Sequence, residues 1–235
     1  MPVPGSPREA QAKANRAQLV PLLAQVGVCY FIQGRLGHAL QEFRESDLLA
    51  EFQKDRQARA SAFNNIGVIR HEYGELESAL EEYGKALATA RESGDQRLVA
   101  LCLGNTGNIQ REKGEFGNAL KSHQDALEIS LRIADQPGVV SAMCNIASVR
   151  RDKGELDKAL EFYSEALESA REIGDNYAYA VVLGNIGGVH YDRGGSQPGA
   201  RVLRGRAGSG SQARASGWRG HRTREYRADP GQEEP

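Results

Sequence analysis

The chain has 235 residues with 30 basic and 31 acidic side chains, and 40% of its residues are hydrophobic. Its net charge of −1 gives no reason to expect a nucleic-acid-binding protein. No stretch approaches the roughly 18 apolar residues of a membrane span, and the first residues lack the apolar segment of a secretion signal. We therefore expect a cytoplasmic protein that contacts neither nucleic acid nor a membrane.

A pattern with a period of 40 residues begins after residues 1–15, which we interpret as an N-terminal segment or as the end of a preceding helix. The pattern is clearest in its glycines, which stand at Gly34, Gly74, Gly114, Gly154 and Gly194. An Ala-Leu pair begins five residues after each of the first four glycines. Three positions beyond each of those leucines comes a residue with a ring, at Phe43, Tyr83, His123 and Tyr163.

Each unit contains two amphipathic segments, because apolar residues recur at three- and four-residue steps on both sides of the central glycine. Gly74 and Gly94 stand where a helix ends in a residue of positive φ, and Asp95 is placed to cap the helix that follows. The sequence therefore predicts helices over residues 16–33, 36–53, 56–73, 76–93, 97–113, 116–133, 137–153, 156–173 and 176–193.

This pattern resembles the tetratricopeptide repeat. The resemblance rests on an ordered series of apolar, small and aromatic residues, met here at Phe63, Ile66-Gly67, Gly74, Ala79-Leu80, Tyr83 and Ala86. It implies an all-α fold in which antiparallel helix hairpins stack into a right-handed superhelical solenoid. The repeat length is similar to that of Pins-type adaptors, kinesin light chains and bacterial regulators with such repeats.

The resemblance covers residues 16–194. It divides them into units of about 16–55, 56–95, 96–135 and 136–175, followed by a half unit of 176–194.

The pattern stops after Gly194, and residues 195–235 contain eight Gly and eight Arg but no Lys. This composition predicts a disordered tail. If each original codon is the last two bases of a present codon and the first base of the next, residues 199–203 can encode Ala-Leu-Glu-Phe-Tyr, which is the sequence of residues 159–163. We interpret the tail as the product of a frameshift between about residues 194 and 199, and a true flexible linker is the alternative.

An unpaired last helix would follow from such a tail. We expect Leu183, Ile186 and Val189 to be exposed on it, and we expect self-association through it.

The residue types that carry catalysis are present but scattered. The five histidines form no metal-ligand pattern, and the acidic residues are mixed with Lys and Arg along helix faces. Cys29, Cys102 and Cys144 are far apart in the sequence and are interpreted as reduced core residues. We expect no catalytic residue, no metal and no cofactor, and hence no enzymatic activity.

One polar column stands out, because asparagine recurs in register at Asn65, Asn105, Asn145 and Asn185. The resemblance places this slot on the first helix of each hairpin, facing the concave groove of the solenoid. A side-chain amide both donates and accepts, so a ladder of four amides could hold the backbone of an extended segment. The alternative is that each asparagine bonds the backbone of the neighbouring repeat and sets the stacking angle.

Two further slots belong to the same predicted groove. One carries His71, Arg111, Arg151 and Tyr191, and the other includes Asn108. The two arginines would form a basic stripe, which favours a partner segment with carboxylates. The alternative is that Glu112 and Asp152, beside them in the sequence, neutralise them.

The sequence therefore favours a non-enzymatic adaptor or scaffold whose groove binds a protein or peptide segment. A second possibility is a regulatory or sensor fragment of a larger signalling protein whose kinase, cyclase or transcription-regulator domain was lost through the frameshift. A third is an inert product of a damaged gene.

Overall fold

The computed structural model describes the backbone of residues 7–194 and the side chains of residues 18–194. This part of the chain is a solenoid of helix hairpins without strands, which confirms the predicted all-α class. Its helices are α1 (Pro7–Ile32), α2 (Leu36–Gln53), α3 (Arg56–Glu72), α4 (Leu76–Ser93), α5 (Gln96–Glu112), α6 (Phe116–Arg132), α7 (Gln136–Asp152), α8 (Leu156–Glu172) and α9 (Asn176–Gly194). The predicted tail, residues 195–235, lies outside the described residues.

The observed helix bounds agree with the predicted ones within one residue, except at the start of α1. That helix begins at Pro7, whereas the sequence predicted a start at residue 16. Proline suits the first helical position, and the Arg, Glu, Ala, Gln and Lys residues that follow it favour helix. Asn15, which occupies the slot of the later helix-capping aspartates, therefore lies within α1.

The predicted caps hold at three of the four aspartates. The side chains of Asp55, Asp95 and Asp175 each accept a hydrogen bond from the backbone N–H three residues later, at 3.0, 3.0 and 2.9 Å. Asp135 makes no such bond, and its carboxylate lies 3.4 Å from the Nε of Arg97 in the preceding first helix. The cap of α7 is thus replaced by an ion pair between repeats.

Each hairpin is closed by one repeated contact between a small residue and a ring. A Cβ added at Gly27 would lie 2.5 Å from the ring of Phe43, and one added at Gly67 would lie 2.6 Å from the ring of Tyr83. A Cβ at Gly107 would lie 2.6 Å from His123. The fourth hairpin packs Ala147 and Tyr163 into one buried cluster. The small residue lets the two helix backbones approach closely enough for the ring to be fully buried.

The stacking of the hairpins produces an inner and an outer layer. Helix α1 contacts α3, α3 contacts α5, α5 contacts α7, and α7 contacts α9, whereas no two of the second helices α2, α4, α6 and α8 contact each other. Helices on the inside of a curved stack lie closer together than those on the outside. The odd-numbered helices are therefore the inner layer of the described array.

The last helix differs from its predicted exposure. Leu183 is exposed and Ile186 is half-buried, but Val189 is fully buried, so the expectation that Val189 would be exposed was wrong. The side chain of Val189 packs with Val182 into the cluster formed by Tyr163 and Ala166 of α8. One face of α9 is thus covered by the preceding hairpin, and a different face is open.

No helix within residues 7–194 is both long and apolar enough to cross a membrane.

Six turns within the described residues place a glycine of positive φ after a helix, and two turns place another residue there. Lys54 has a φ of 58° and Ala134 a φ of 55°, at the slots where the other repeats have Gly94 and Gly174. A Cβ in this left-handed conformation is unfavourable by about 1 kcal/mol.

Replacing Ala134 with glycine should stabilise the protein by about 1 kcal/mol, because it removes this strain without disturbing a helix. We expect the midpoint of thermal unfolding, followed by circular dichroism, to rise by about 2 to 4 °C. Gly94→Ala is the matched control, because Gly94 has a φ of 75° and a Cβ there would touch nothing within 4 Å. It should lower the midpoint by a similar amount, and an unchanged midpoint in Ala134→Gly would contradict the prediction.

The ring of the third hairpin is a buried histidine. His123 has no exposed surface, and both of its ring nitrogens lack a hydrogen-bond partner within the described part of the chain. Burial, with a smaller contribution from the nearby Arg111 guanidinium, lowers the pKa of His123 to about 4. The histidine is therefore neutral in the folded protein at physiological pH.

His123 should make the protein sensitive to mild acid. The unfolded chain binds a proton near the ordinary histidine pKa of about 6.5, so the stability should fall by up to about 3 kcal/mol as the pH drops from about 6.5 to about 4. His123→Phe should remove this component, because Phe43 shows that the slot accepts a phenyl ring. Urea denaturation at pH 7.5 and pH 5 would measure the difference. His190→Phe, at an exposed position, should keep the wild-type pH dependence.

Candidate functional site

The predicted groove residues lie on the inner layer of the solenoid. Asn65 is on α3, Asn105 and Asn108 are on α5, Asn145 is on α7 and Asn185 is on α9, and each is half-buried. Positions four, seven and eleven residues after a given residue share its helix face. Leu101, Asn105, Asn108 and Glu112 therefore lie along one face of α5, and the same slots recur on α7 and α9.

Asn105 is engaged in packing between repeats. Its Nδ2 donates a hydrogen bond to the Oδ1 of Asn64 on α3 at 3.0 Å, and Asn64 is only 4% exposed. The thiol of Cys102 also lies 3.7 Å from that Oδ1, and the Nδ2 of Asn64 lies 3.5 Å from the Oδ1 of Asn65. Asn105 therefore links neighbouring repeats, as in the alternative interpretation. Its partner, however, is a side chain of the neighbouring repeat and not its backbone.

Asn64 was not among the predicted groove residues. The signal that could have revealed it is that only one repeat has asparagine at both adjacent positions, Asn64 and Asn65.

Asn145 and Asn185 are in a different situation. Within the described residues neither side chain forms a hydrogen bond. Asn105 bonds the residue 41 positions before it, Asn64, but the residue 41 positions before Asn145 is Gly104 and the one before Asn185 is Cys144. Neither of these has a side-chain amide. A Cβ added at Gly104 would meet nothing within 4 Å, so the surface beside Asn145 is open. These two amides are available to a ligand, whereas that of Asn105 is already bonded.

The predicted basic stripe is neutralised from one repeat to the next. Three contacts join a residue of one first helix to the acid 41 positions later: His71 Nε2 to Glu112 Oε2 at 3.0 Å, Arg111 Nη1 to Asp152 Oδ2 at 2.8 Å, and Arg151 Nε to Asp192 Oδ2 at 2.7 Å. The hydrogen bond from His71 lowers the pKa of Glu112. The arginines are therefore paired, but with the acids of the following repeat and not with those adjacent in sequence.

Tyr191 occupies the same slot on α9 as these basic residues but takes no part in the series. It is 77% exposed at the end of the described array.

The slot of Asn108 supports hairpin packing in the next repeat. There the hydroxyl of Ser148 lies 2.8 Å from the hydroxyl of Tyr163 and donates to the carbonyl of Cys144 at 2.8 Å. In the hairpin of Asn108 the corresponding ring is His123, whose nitrogens have no hydrogen-bond partner in the described residues.

Two exposed apolar residues of the inner helices were missed by the sequence analysis. Leu101 on α5 and Val181 on α9 occupy one recurring slot, which holds Ser61 on α3 and Ser141 on α7. A periodic apolar pattern predicts burial, so it cannot distinguish an apolar residue of the core from one that faces the groove.

The cysteines differ from one another in exposure. Cys102 is buried and Cys144 is half-buried, and burial raises the pKa of both thiols to about 12. Cys29 is exposed, so the interpretation of all three as core residues was wrong at this position. Cys29 lies on α1, and within the described residues no helix precedes α1 to cover that side of it. No group of three or more potential metal ligands occurs among residues 18–194.

The two kinds of asparagine should differ in their effect on stability. Asn105→Ala removes the hydrogen bond to buried Asn64 and should lower the free energy of unfolding by about 1 kcal/mol or more. Asn145→Ala removes an amide without a protein partner and should change it by less than about 0.5 kcal/mol. Urea denaturation measures both variants. Equal losses would show that Asn145 also stabilises the stack.

The sequence profile described as tetratricopeptide repeat matches residues 58–132 and 138–199. No curated protein has a significantly matching sequence.

Among solved structures, aspartyl phosphate phosphatase F from Bacillus subtilis has 15% identity and a TM-score of 0.67, over 74% of this chain and 45% of that one. A Rap protein complexed with competence and sporulation factor has 20% identity and a TM-score of 0.64, over 71% of this chain and 46% of that one. BtubC from P. vanneervenii has 18% identity and a TM-score of 0.62, over 97% of this chain and 100% of that one. This chain thus spans less than half the length of the first two structures, and at these identities the likeness is one of fold.

Proposed function

The chain belongs to the tetratricopeptide repeat family, and on that basis we propose that it is a non-enzymatic adaptor whose groove binds a segment of another protein. The observation that carries the proposal is the pair of half-buried amides at Asn145 and Asn185. Both lie on the inner helices, and neither is hydrogen-bonded within the described residues. Such amides can pair with the N–H and C=O of a bound backbone together.

The shape of the surface beside these amides supports the same proposal. Gly104 and Gly184 place no side chain at the slot next to the asparagine column, and a Cβ at either position would meet nothing within 4 Å. A bound backbone can approach a glycine more closely than any other residue. The segment is therefore recognised mainly through its main chain.

The apolar and charged residues of the inner layer indicate the side chains that this segment would carry. Leu101 and Val181 are exposed and flank the amides, so apolar side chains of the partner would gain by contacting them. Arg111 and Arg151 are already paired with Asp152 and Asp192. The sequence suggested an acidic partner, but the paired arginines leave little positive charge to attract one. The proposed partner is instead a mostly uncharged, partly apolar segment.

One of the solved structures with a similar fold contains a bound factor. The Rap protein was crystallised complexed with competence and sporulation factor, so a protein of this architecture holds a bound factor. At 20% identity this supports binding by the solenoid and says nothing about the ligand of this chain.

Groove binding can be tested without knowing the natural partner. A displayed library of random peptides would be selected on the wild-type protein, and enriched peptides would be measured by fluorescence anisotropy. We expect the double variant Asn145→Ala, Asn185→Ala to weaken binding at least tenfold while circular dichroism stays helical, because each lost pair of amide bonds contributes about 1 kcal/mol.

The matched control is Asn118→Ala, which removes an exposed amide from the outer helix α6. It should bind like the wild type. Selected peptides that bind the double variant and the wild type equally would contradict the proposed groove.

A regulatory fragment of a longer signalling protein is the second candidate. It rests on the shifted-frame interpretation of residues 195–235.

The DNA downstream of the codon for Gly154 tests this candidate directly. If it is correct, reading past the codon of Pro235 in all three frames should show further 40-residue units in the shifted frame, followed by another domain. The absence of repeat sequence in every frame would leave the arginine- and glycine-rich tail as a genuine part of the protein and would remove this candidate.

A further inference from the structure

One face of α9 corresponds to the face with which each other inner helix packs against the second helix of its hairpin. In α7 this face holds Met143, Ala147 and Arg150. Met143 and Ala147 pack in the cluster that contains Tyr163, and the Arg150 guanidinium lies over the ring of Phe162 on α8. The corresponding residues of α9 are Leu183, Gly187 and His190. We call this set the α9 face.

The residue at the centre of the α9 face, Gly187, is not covered by a ring. In the first three hairpins the glycine at this slot is covered by a ring, and a Cβ there would lie 2.5 to 2.6 Å from it. A Cβ added at Gly187 would meet nothing within 4 Å. Leu183, one turn away, is 44% exposed, whereas its counterpart Met143 packs against the cluster around Tyr163. No ring from the described residues therefore covers Gly187.

The rest of α9 is docked as in the other repeats. Val182 and Val189 are 1% and 0% exposed against α8, and Arg151 pairs with Asp192. The open face is therefore presented by a helix that the preceding hairpin holds in place.

The four closed hairpins define what fits this face. Each second helix carries an Ala-Leu pair, a ring three residues later and an alanine three residues beyond the ring, except that the first has Ser46 at that last slot. In the second and fourth hairpins a glutamate just before the second helix pairs with the arginine at the slot of His190, as Glu155 does with Arg150 at 2.7 Å. A partner that completes α9 needs the same chemistry.

Residues 199–213, which lie outside the described residues, do not have this chemistry in their sequence. In register with α8, they place Leu203 at the ring slot and Arg206 at the slot of Ala166, which is fully buried in α8. Burying an arginine without a partner is strongly unfavourable. The sequence of this segment therefore does not match the pattern of the four second helices.

We propose that the α9 face is a docking site for an amphipathic helix of another polypeptide that carries a glutamate, Ala-Leu, an aromatic ring and Ala at the spacing of α8. The ring seats over Gly187, the leucine packs on Leu183, and the glutamate lies near His190. This surface is distinct from the groove, because Leu183 and Gly187 lie on the opposite side of α9 from Val181 and Asn185.

The chain itself supplies a probe of this chemistry. A fluorescently labelled peptide of residues 155–174, which contains the sequence of α8, would be titrated with the full-length protein and followed by anisotropy. We expect saturable binding by the wild type and at least a tenfold weaker binding of the same peptide with Tyr163→Ala.

Two variants of the protein locate the binding site. Gly187→Leu fills the uncovered position, and because nothing lies within 4 Å of a Cβ there, the variant should stay folded while losing at least tenfold in affinity for the peptide. Gly84→Leu is the matched control, because Gly84 lies on the outer helix α4 and a Cβ there also meets nothing within 4 Å, so this variant should bind the peptide like the wild type. Circular dichroism of both variants checks that the helices persist.

Several results would overturn the proposal. These are no binding to the wild type, equal binding by wild type and Gly187→Leu, or a loss in Gly84→Leu that equals the loss in Gly187→Leu. Sedimentation of the protein alone adds a further criterion. A wild-type dimer that Gly187→Leu abolishes would identify a second copy of this chain, and not another polypeptide, as the occupant.

Discussion

The structure depends on the close approach of a small residue on each first helix to a ring on the second. Gly27, Gly67 and Gly107 leave no room for a Cβ because Phe43, Tyr83 and His123 occupy that space. This contact sets the distance between the helices of a hairpin, and the hairpins in turn stack with their first helices in contact on the inside. The groove, its polar slots and the open end of the array all follow from that arrangement.

The polar residues of the inner layer have two separate roles. Some hold neighbouring repeats together, as Asn105 does with Asn64 and Arg111 with Asp152. Others, such as Asn145, have no protein partner among the described residues, because the preceding repeat offers Gly104 where Asn64 would stand. A column that is uniform in sequence is therefore not uniform in function, and the end of the array near α7 and α9 is its more available part.

The α9 face and the groove are different kinds of surface. The groove presents amides and a few apolar residues to a backbone, whereas the α9 face presents an uncovered glycine at the slot where a ring closes the other hairpins. A repeat array buries its apolar faces between neighbours, so a terminal helix without a cap leaves one such face open. If both proposals are correct, one chain can bind two partners of unlike structure.

The sequence by itself determined the helices, their turns and their caps, because these depend on residues only a few positions apart. The 40-residue period placed the helix ends within one residue, and the glycines of positive φ and the capping of Asp55, Asp95 and Asp175 follow from local geometry. It also identified which positions would lie on the inner helices. Only the tertiary structure decided what those residues contact, because the contacts depend on the angle and offset at which one hairpin packs on the next. That offset pairs Arg111 with an acid 41 positions away, covers Val189 and leaves Gly187 uncovered.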